Sequence, residues 1–458
     1  MSAGTTTLDN PSAGDSSQEP LPARNESRSL RRMATSGAAW TVAAHAASLL
    51  LRLGSNLILT RLLAPEYFGV MALIQVVIEG MAMFSDLGVE ASVVQHQFAE
   101  DADFLNTAWI IRFIRGLVFF ALICLAAYPA AQLYGEPELS WLLPFVGLSA
   151  IFAGASSPSL LLMRRRLQVS KLVALELSTQ VVSTLVVICL AWWFRSIWAL
   201  ACGSLVQKSL LCVLSHSVAE DRIGLRWCST HARQMLRFGR WIAIGSALTF
   251  LLQKGDQAIL GVLVPTETLG LFAIASIWAR LPVQLLLQLN SRVLFPLYSE
   301  FSRRKGIGLR SNVFRVRWRL AVAFIPLCWG LMIGGKYLIS VLYDARYVDA
   351  GWMLELLAFG AIASVVRASS GGVLLAVGDS FRFMLLQISS AIALIIGMTI
   401  GYQLDGVSGM ILGIAVSRYL DYPILAWAIR RYEVWFPALD LAIALSTCVI
   451  ILCSRNLL

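Results

Sequence analysis

Runs of about twenty apolar residues follow one another from residue 37 to residue 453, broken only by short polar or Pro- and Gly-containing segments. A helix of that length rises about 30 Å, the thickness of a bilayer's hydrocarbon core. The pattern predicts helices at about Gly37–Leu63, Gly69–Val94, Asn106–Ala131, Leu139–Met163, Lys171–Phe194 and Ile197–Ala219. A second set follows at about Phe238–Leu263, Leu269–Tyr298, Val313–Leu342, Ala350–Val377, Phe381–Leu404 and Val407–Ile429, and a thirteenth run, Pro437–Cys453, is also long enough to span. The fold class expected is an all-α polytopic membrane protein.

The first 35 residues break the pattern. Ser, Thr, Pro, Gly and Asp dominate there, so residues 1–35 read as a disordered cytoplasmic tail. The tail lacks the basic-then-apolar layout of a signal peptide, which leaves insertion to the first span. Asn25-Glu26-Ser27 matches a glycosylation sequon, a tripeptide common by chance and unmodified in a cytoplasmic tail. The remainder divides into a six-helix bundle over 36–220, a cytoplasmic linker over 221–236, a second six-helix bundle over 237–432 and an extra transmembrane segment over 433–458.

Composition agrees. Hydrophobic residues make up 58% of the chain and charged ones 14%, against about a quarter charged in soluble domains; the mean hydropathy is +0.72. The eight cysteines sit mostly inside apolar runs without a C-x-x-C pair, so they read as small buried hydrophobes. The four histidines, His45, His96, His216 and His231, lack ligand spacing, and no metal or other cofactor is expected.

The charge of +10 is sorted by loop. One side receives Arg24, Arg28, Arg31 and Arg32, then Arg164, Arg165, Arg166 and Lys171, then Arg222, Arg226, Arg233, Arg237 and Arg240, then Arg303, Arg304, Lys305, Arg310 and Arg315, and finally Arg430 and Arg431. The opposite loops read Ala64-Pro65-Glu66-Tyr67, Gly135-Glu136-Pro137-Glu138 and Pro265-Thr266-Glu267-Thr268, with Arg195 and Arg346 as exceptions. The positive-inside rule then places the amino terminus in the cytoplasm of an inner membrane, and topology alone accounts for the basic balance, with no nucleic acid required.

The chain also repeats itself. Arg52-Leu53-Gly54, Leu62-Leu63-Ala64-Pro65-Glu66 and Gly69-Val70-Met71-Ala72 return as Lys254-Gly255, Val262-Leu263-Val264-Pro265-Thr266 and Gly270-Leu271-Phe272-Ala273, with one residue of shift between Pro and Gly. Pro65 and Pro265 fall where a span must stop; Gly69 and Gly270 fall where the next helix starts in close contact with it. Both halves begin on the cytoplasmic side. The reading is therefore two parallel six-helix bundles in a V around a central cavity, plus one extra C-terminal span, with alternating access by rocking of the bundles.

Ionisable residues inside spans are costly and commonly face a cavity or a partner. Arg61, Arg292 and Glu355 lie near helix ends, within reach of the interface by snorkelling. The deeper set supplies the candidates for a substrate-binding cavity: Arg52, Lys208, Lys254, Arg280, Arg367 and Arg418. Glu79, Asp86 and Asp256 are candidates for H+ or Na+ coupling or for pairing between the lobes. Arg52 aligns with Lys254 and Glu79 with Arg280, so each half offers a cation to the cleft, which suits an anionic ligand. The alternative is that Arg280 pairs with Glu79, or Asp256 with groups near Lys254, purely to hold the halves together. Most of Trp192, Trp193, Trp198, Trp278, Trp329, Trp352 and Trp427 read as interfacial belts.

The segment Thr60-Arg61-Leu62-Leu63-Ala64-Pro65-Glu66-Tyr67-Phe68-Gly69, together with Asp86-Leu87-Gly88, Arg164-Arg165-Arg166, Gly270-Leu271-Phe272, Leu281-Pro282 and Leu294-Phe295-Pro296-Leu297-Tyr298-Ser299, resembles the Wzx-type polysaccharide-transporter flippases of the multidrug/oligosaccharidyl-lipid/polysaccharide exporter superfamily. The resemblance runs from about Ser36 to Arg431, and its flavour looks like that of the colanic-acid or xanthan exporters. It implies a V-shaped pair of bundles that moves undecaprenyl-pyrophosphate-linked oligosaccharide repeat units from the cytoplasmic to the periplasmic leaflet for exopolysaccharide or O-antigen assembly. A polysaccharide polymerase and a chain-length regulator are the partners it implies. A lipid II flippase and a cation-coupled multidrug exporter belong to the same superfamily; the mostly basic intramembrane set argues against cationic drugs. A membrane polymerase or glycosyltransferase would show long loops with clustered acidic or His residues, and no Walker-type motif is present for ATP coupling, so an enzyme is not expected.

Overall fold

The structure, a computed structural model, describes residues 43, 46–84, 101–165, 168–218, 224, 226–290, 294–303 and 309–455. These residues build fifteen α-helices, with no strand among them. The first half contains α1 (46–62), α2 (Pro65–Phe84), α3 (Ala102–Tyr134), α4 (Leu139–Ala155), α5 (Ser159–Arg165), α6 (Val169–Phe194) and α7 (Ile197–Ser217). The second half contains α8 (Ser229–Leu263), α9 (Thr266–Leu289), α10 (Phe295–Arg303), α11 (Leu309–Leu342), α12 (Ala350–Val377), α13 (Ser380–Leu420), α14 (Tyr422–Arg430) and α15 (Pro437–Arg455). Eight described helices are long and apolar enough to cross a membrane, and the outward surface is apolar, with Leu125, Trp193 and Leu404 at least 74% exposed. The chain is a multi-pass membrane protein.

The places where helices depart from the apolar runs have local causes. The run Leu139–Met163 is two helices, because Pro158 has no N–H to continue the ladder. A break of that kind inside hydrocarbon strands backbone carbonyls, and each one must find a partner. Here Arg112 donates to Ala153 O at 3.0 Å, Trp109 Nε1 to Ala155 O at 3.1 Å, and His216 Nε2 lies 3.0 Å from Ala155 O. Ser215 Oγ accepts the N–H of Ser157 at 2.9 Å. Of the run Leu269–Tyr298, the described residues lie in α9 and α10 or directly beside them, and residues 291–293 fall outside the described set. Helix α8 begins at Ser229, within the stretch expected as linker, and α11 at Leu309 rather than Val313. Within α13 the chain reverses at Asp405 and Gly406, where Gly406 takes φ 55, a value that glycine alone adopts freely.

The two halves meet through α2 and α9. Pro65 occupies the first position of α2, where its missing N–H costs nothing, and Pro265 caps α9. A Cβ on Gly69 would stand 1.9 Å from Thr266 O, and one on Gly270 would stand 1.9 Å from Pro65 O. The contact is reciprocal: each glycine abuts the carbonyl four residues before the other. Expected at the sequence level to fit their own preceding helices, these glycines instead let the backbones of opposite halves touch. Around them Leu73, Ile74, Leu260, Phe272, Ala275, Tyr347 and Leu354 form one core drawn from both halves.

A second core belongs to the second half and takes in the last helix. Arg317 of α11, 2% exposed, donates to Asp440 of α15 at 2.6 Å and lies over the Phe436 ring at 5.5 Å. Tyr422 also donates to Asp440, at 3.0 Å, and Trp329 Nε1 donates to Thr447 Oγ1 at 3.1 Å. At the start of α13, Asp379 accepts from Tyr432 Oη at 2.7 Å, the Arg382 N–H at 3.1 Å and its guanidinium at 2.7 Å.

Two predictions follow from this packing. Gly69→Ala and Gly270→Ala each cost about 1–3 kcal/mol by overpacking backbone on backbone, read as a lower unfolding temperature of the purified protein, whereas Gly54→Ala, with nothing within 4 Å of its would-be Cβ, is neutral. The Tyr432 hydroxyl, then the Arg382 N–H and guanidinium, hold the Asp379 carboxyl below the usual carboxylate range. A depressed folded-state value means that the stabilisation is complete above the unfolded value of about 3.9 and is lost as pH falls through the folded one. Asp379→Asn therefore lowers the unfolding temperature at pH 7, and the difference from the parent shrinks as pH drops below about 4.

Candidate functional site

A tract of polar side chains runs between α2 and the inner helices of the second half. Lys254 of α8 reaches across to α2: its Nζ lies 3.4 Å from Glu79 Oε1 and 3.5 Å from Gln75 Oε1, and it donates to Gln257 Oε1 of its own helix at 3.4 Å. Gly80 beside Glu79 admits the Phe250 ring, 3.0 Å from a would-be Cβ, and so sets the approach of α8 to α2. One turn of α8 presents both charges, Lys254 toward the first half and Asp256 toward α9.

Asp256 is 2% exposed. It pairs with Arg280 of α9, accepts the Gln257 N–H at 2.9 Å, and leaves Arg280 a second bond to Gln253 O at 2.6 Å. Farther into the second half, Arg367 of α12 donates to Ser390 Oγ at 2.6 Å and lies 3.6 Å from Asp421 Oδ2, while Ser390 in turn donates to Asp421. Arg418, three residues before Asp421 on α13, is within electrostatic reach of Asp256, Arg280, Arg367 and Asp421. Among the described residues it makes no hydrogen bond or ion pair. The cluster thus holds three guanidiniums, Arg280, Arg367 and Arg418, against two carboxylates, Asp256 and Asp421, and Arg418 is the surplus positive charge. In a low-dielectric interior an uncompensated cation attracts an anion far more strongly than it does in water.

The sequence-level candidates divide accordingly. Lys254, Arg280, Arg367, Arg418, Glu79 and Asp256 come together. Arg52 on α1 and Lys208 on α7 are exposed and form no pair with them, so the aligned Arg52 and Lys254 have unlike surroundings. Glu79 pairs with Lys254 and not with the aligned Arg280, whose partner is Asp256. Asp86 and Arg292 lie outside the described residues. Glu355 pairs with Lys336 at 3.8 Å, a tie between neighbouring helices. Asp421 is not among the sequence-level candidates. Its three-residue spacing from Arg418 put both on one helical face and was the available signal. Ser390 carried none.

A family profile described as "Polysaccharide biosynthesis protein" matches residues 58–351. The chain is 24% identical over 430 residues to the lipopolysaccharide biosynthesis protein WzxC of Escherichia coli, covering 89% of this chain and 85% of that one. It is 23% identical over 327 residues to the succinoglycan biosynthesis transport protein ExoT of Rhizobium meliloti, covering 71% of this chain and 65% of that one. Among solved structures, the lipid II flippase MurJ in an inward closed conformation superposes with a TM-score of 0.74 at 15% identity, covering 91% of this chain and 92% of that one. An inward-facing multidrug transporter of the MATE family superposes with a TM-score of 0.66 at 14% identity, covering 84% and 94%. The fold is that of this transporter superfamily.

The pairing geometry yields a graded expectation. Glu79 is 43% exposed, so a double-mutant cycle with Lys254→Gln and Glu79→Gln gives a coupling of only about 0.5–1 kcal/mol in unfolding measurements. Asp421 is 4% exposed, so Asp421→Asn, which leaves Arg367 without its anion, costs about 3 kcal/mol.

Proposed function

The chain belongs to the polysaccharide biosynthesis protein family, and from that premise we propose that it flips lipid-linked oligosaccharide repeat units across the bacterial inner membrane, from the cytoplasmic to the periplasmic leaflet. The substrate read from the chemistry is a polyprenyl-diphosphate-linked saccharide, such as the undecaprenyl-pyrophosphate units of exopolysaccharide or O-antigen assembly. The names of its relatives, a lipopolysaccharide biosynthesis protein and a succinoglycan transport protein, support that class. The single observation that carries the reading is the charge count around Arg418: a guanidinium with no partner beside two paired ones, deep in a membrane-spanning bundle.

A diphosphate suits this surplus. Its charge is held by guanidinium forks that present several N–H groups in one plane, and Arg280 and Arg367 are already oriented by Asp256 and Asp421. Two bundles, 36–220 and 237–432, rocking against one another provide alternating access, and the reciprocal approach of Gly69 and Gly270 supports a state closed at the end where the Pro65 and Pro265 turns lie. The amino terminus lies in the cytoplasm on the sorting of Lys and Arg. Glu79 and Asp256 already hold Lys254 and Arg280, so H+ or Na+ acting at either carboxylate acts by displacing a resident cation. A polymerase and a chain-length regulator are the partners expected to take up the product.

The test is flipping of a fluorescent polyprenyl-diphosphate oligosaccharide in proteoliposomes. Removing one charge-assisted contact of about 1.5–3 kcal/mol lowers the rate about ten-fold or more in Arg418→Ala, with partial recovery in Arg418→Lys and the parent's thermal stability in both. Flipping by Arg418→Ala at the parent rate overturns the reading.

A further inference from the structure

Where the Pro65 and Pro265 turns lie, the first half is closed by residues of the second. Helix α1 ends at residue 62, and the last carbonyls of a helix find no partner within it. For α1 those partners come from the connection between α11 and α12. Arg346 Nη2 donates to Thr60 O at 3.5 Å and to Arg61 O at 3.3 Å, and Tyr347 Oη donates to Leu63 O at 2.9 Å. One and a half turns back along α1, Asn56 Oδ1 accepts from Tyr343 Oη at 3.0 Å, and Tyr343 accepts from Trp278 Nε1 of α9 at 2.8 Å. Asp344 orients the Arg346 fork through contacts of 2.9 and 3.1 Å.

These groups form a built surface. Tyr347 and Thr60 are 0% exposed, Leu63 1%, and the Phe68 ring meets the Tyr347 ring edge-on at 6.1 Å. The corresponding connection of the first half is thinner. Thr266 Oγ1 donates to Glu136 Oε1 at 3.0 Å and the Tyr134 ring lies against Gly261, with no other polar bond between that connection and the second half among the described residues. The two halves therefore grip each other unequally.

We propose that the segment from Tyr343 to Tyr347 is a detachable helix cap: it completes the carboxyl end of α1 from the opposite bundle, and its release is the step that opens the molecule at this end. The inference rests on the alternating-access reading above. Carbonyls freed in hydrocarbon would be prohibitive, but at the rim of the bilayer water takes them over, so opening and hydration of the α1 terminus occur together. The opposite connection, with one hydrogen bond, follows rather than controls.

Spin labels at Glu66→Cys and Glu267→Cys, both exposed on the two turns, with the eight native cysteines replaced, report the separation of the halves in the full-length protein by pulsed electron resonance. Tyr347→Phe, which loses one hydrogen bond to α1, and Arg346→Gln, which loses two, each raise the long-distance population about five-fold or more, and Thr266→Val raises it less than either. Arg346 is half exposed, so its variant carries the test if Tyr347→Phe fails to fold. An unchanged distribution in Arg346→Gln, or a larger shift in Thr266→Val, overturns the cap. The readout needs no substrate: a shifted distribution combined with full flipping by Arg418→Ala upholds the cap and removes the substrate reading.

Discussion

Inside hydrocarbon an unpartnered peptide group or charge costs several kcal/mol, and no water is present to take it up. Most departures of this chain from plain spans follow from that constraint. Pro158 breaks a helix, and Arg112, Trp109 and His216 supply what the broken ladder lacks. Helix α1 stops at residue 62, before Pro65 opens α2, and Arg346 and Tyr347 supply partners for its last turn from the other half. The buried carboxylates Asp256, Asp421 and Asp440 each hold a guanidinium. Tertiary contacts in this protein are thus chosen as much by unmet hydrogen bonds as by apolar area, since lipid solvates a leucine as well as another leucine does.

The spans were legible because apolar length is a property of the sequence itself, and Ala350–Val377 has the same bounds in both readings. The interruptions were less so. Ser156-Ser157-Pro158 sits within an apolar run, and Ser is neutral to a hydropathy count although the Ser156 hydroxyl donates to Phe152 O and the Ser157 hydroxyl accepts the Ser159 N–H at the break. Gly69 and Gly270 stood out as repeated glycines at helix starts. What they touch was not legible, because contact between the two halves is a relation that no single segment encodes. The same limit applied to the charges. Alignment of the halves paired Glu79 with Arg280 and Arg52 with Lys254, but repeat positions are equivalent in chain order and not in partner: Glu79, Lys254 and Arg280 each met a counter-ion on whichever helix stood opposite, and Arg52 stayed exposed.

That divergence between equivalent positions bears on function. A strictly symmetric pair of bundles would present the same groups from each side. Here Arg280, Arg367 and Arg418 all belong to the second half, while the first half contributes Gln75 and Glu79 and the exposed Arg52 and Lys208. The charged centre is therefore built on the second half, and in the proposed mechanism the first half moves relative to it. Under the proposed rocking motion, guanidiniums fixed on one body would keep their mutual distances constant around an anion, which a site shared equally between two bodies would not.

The bond between Arg317 and Asp440 links a helix near the middle of the second half to the last one in the chain. During synthesis Arg317 enters the bilayer more than a hundred residues before its carboxylate exists. Until α15 arrives the guanidinium must be sheltered by water, by lipid head groups or by the insertion machinery, and the second half is completed only once that helix has been made. Final compaction of this half therefore waits on α15, so a message truncated before Asp440 leaves a protein whose earlier helices are all present and whose interior charge is never neutralised.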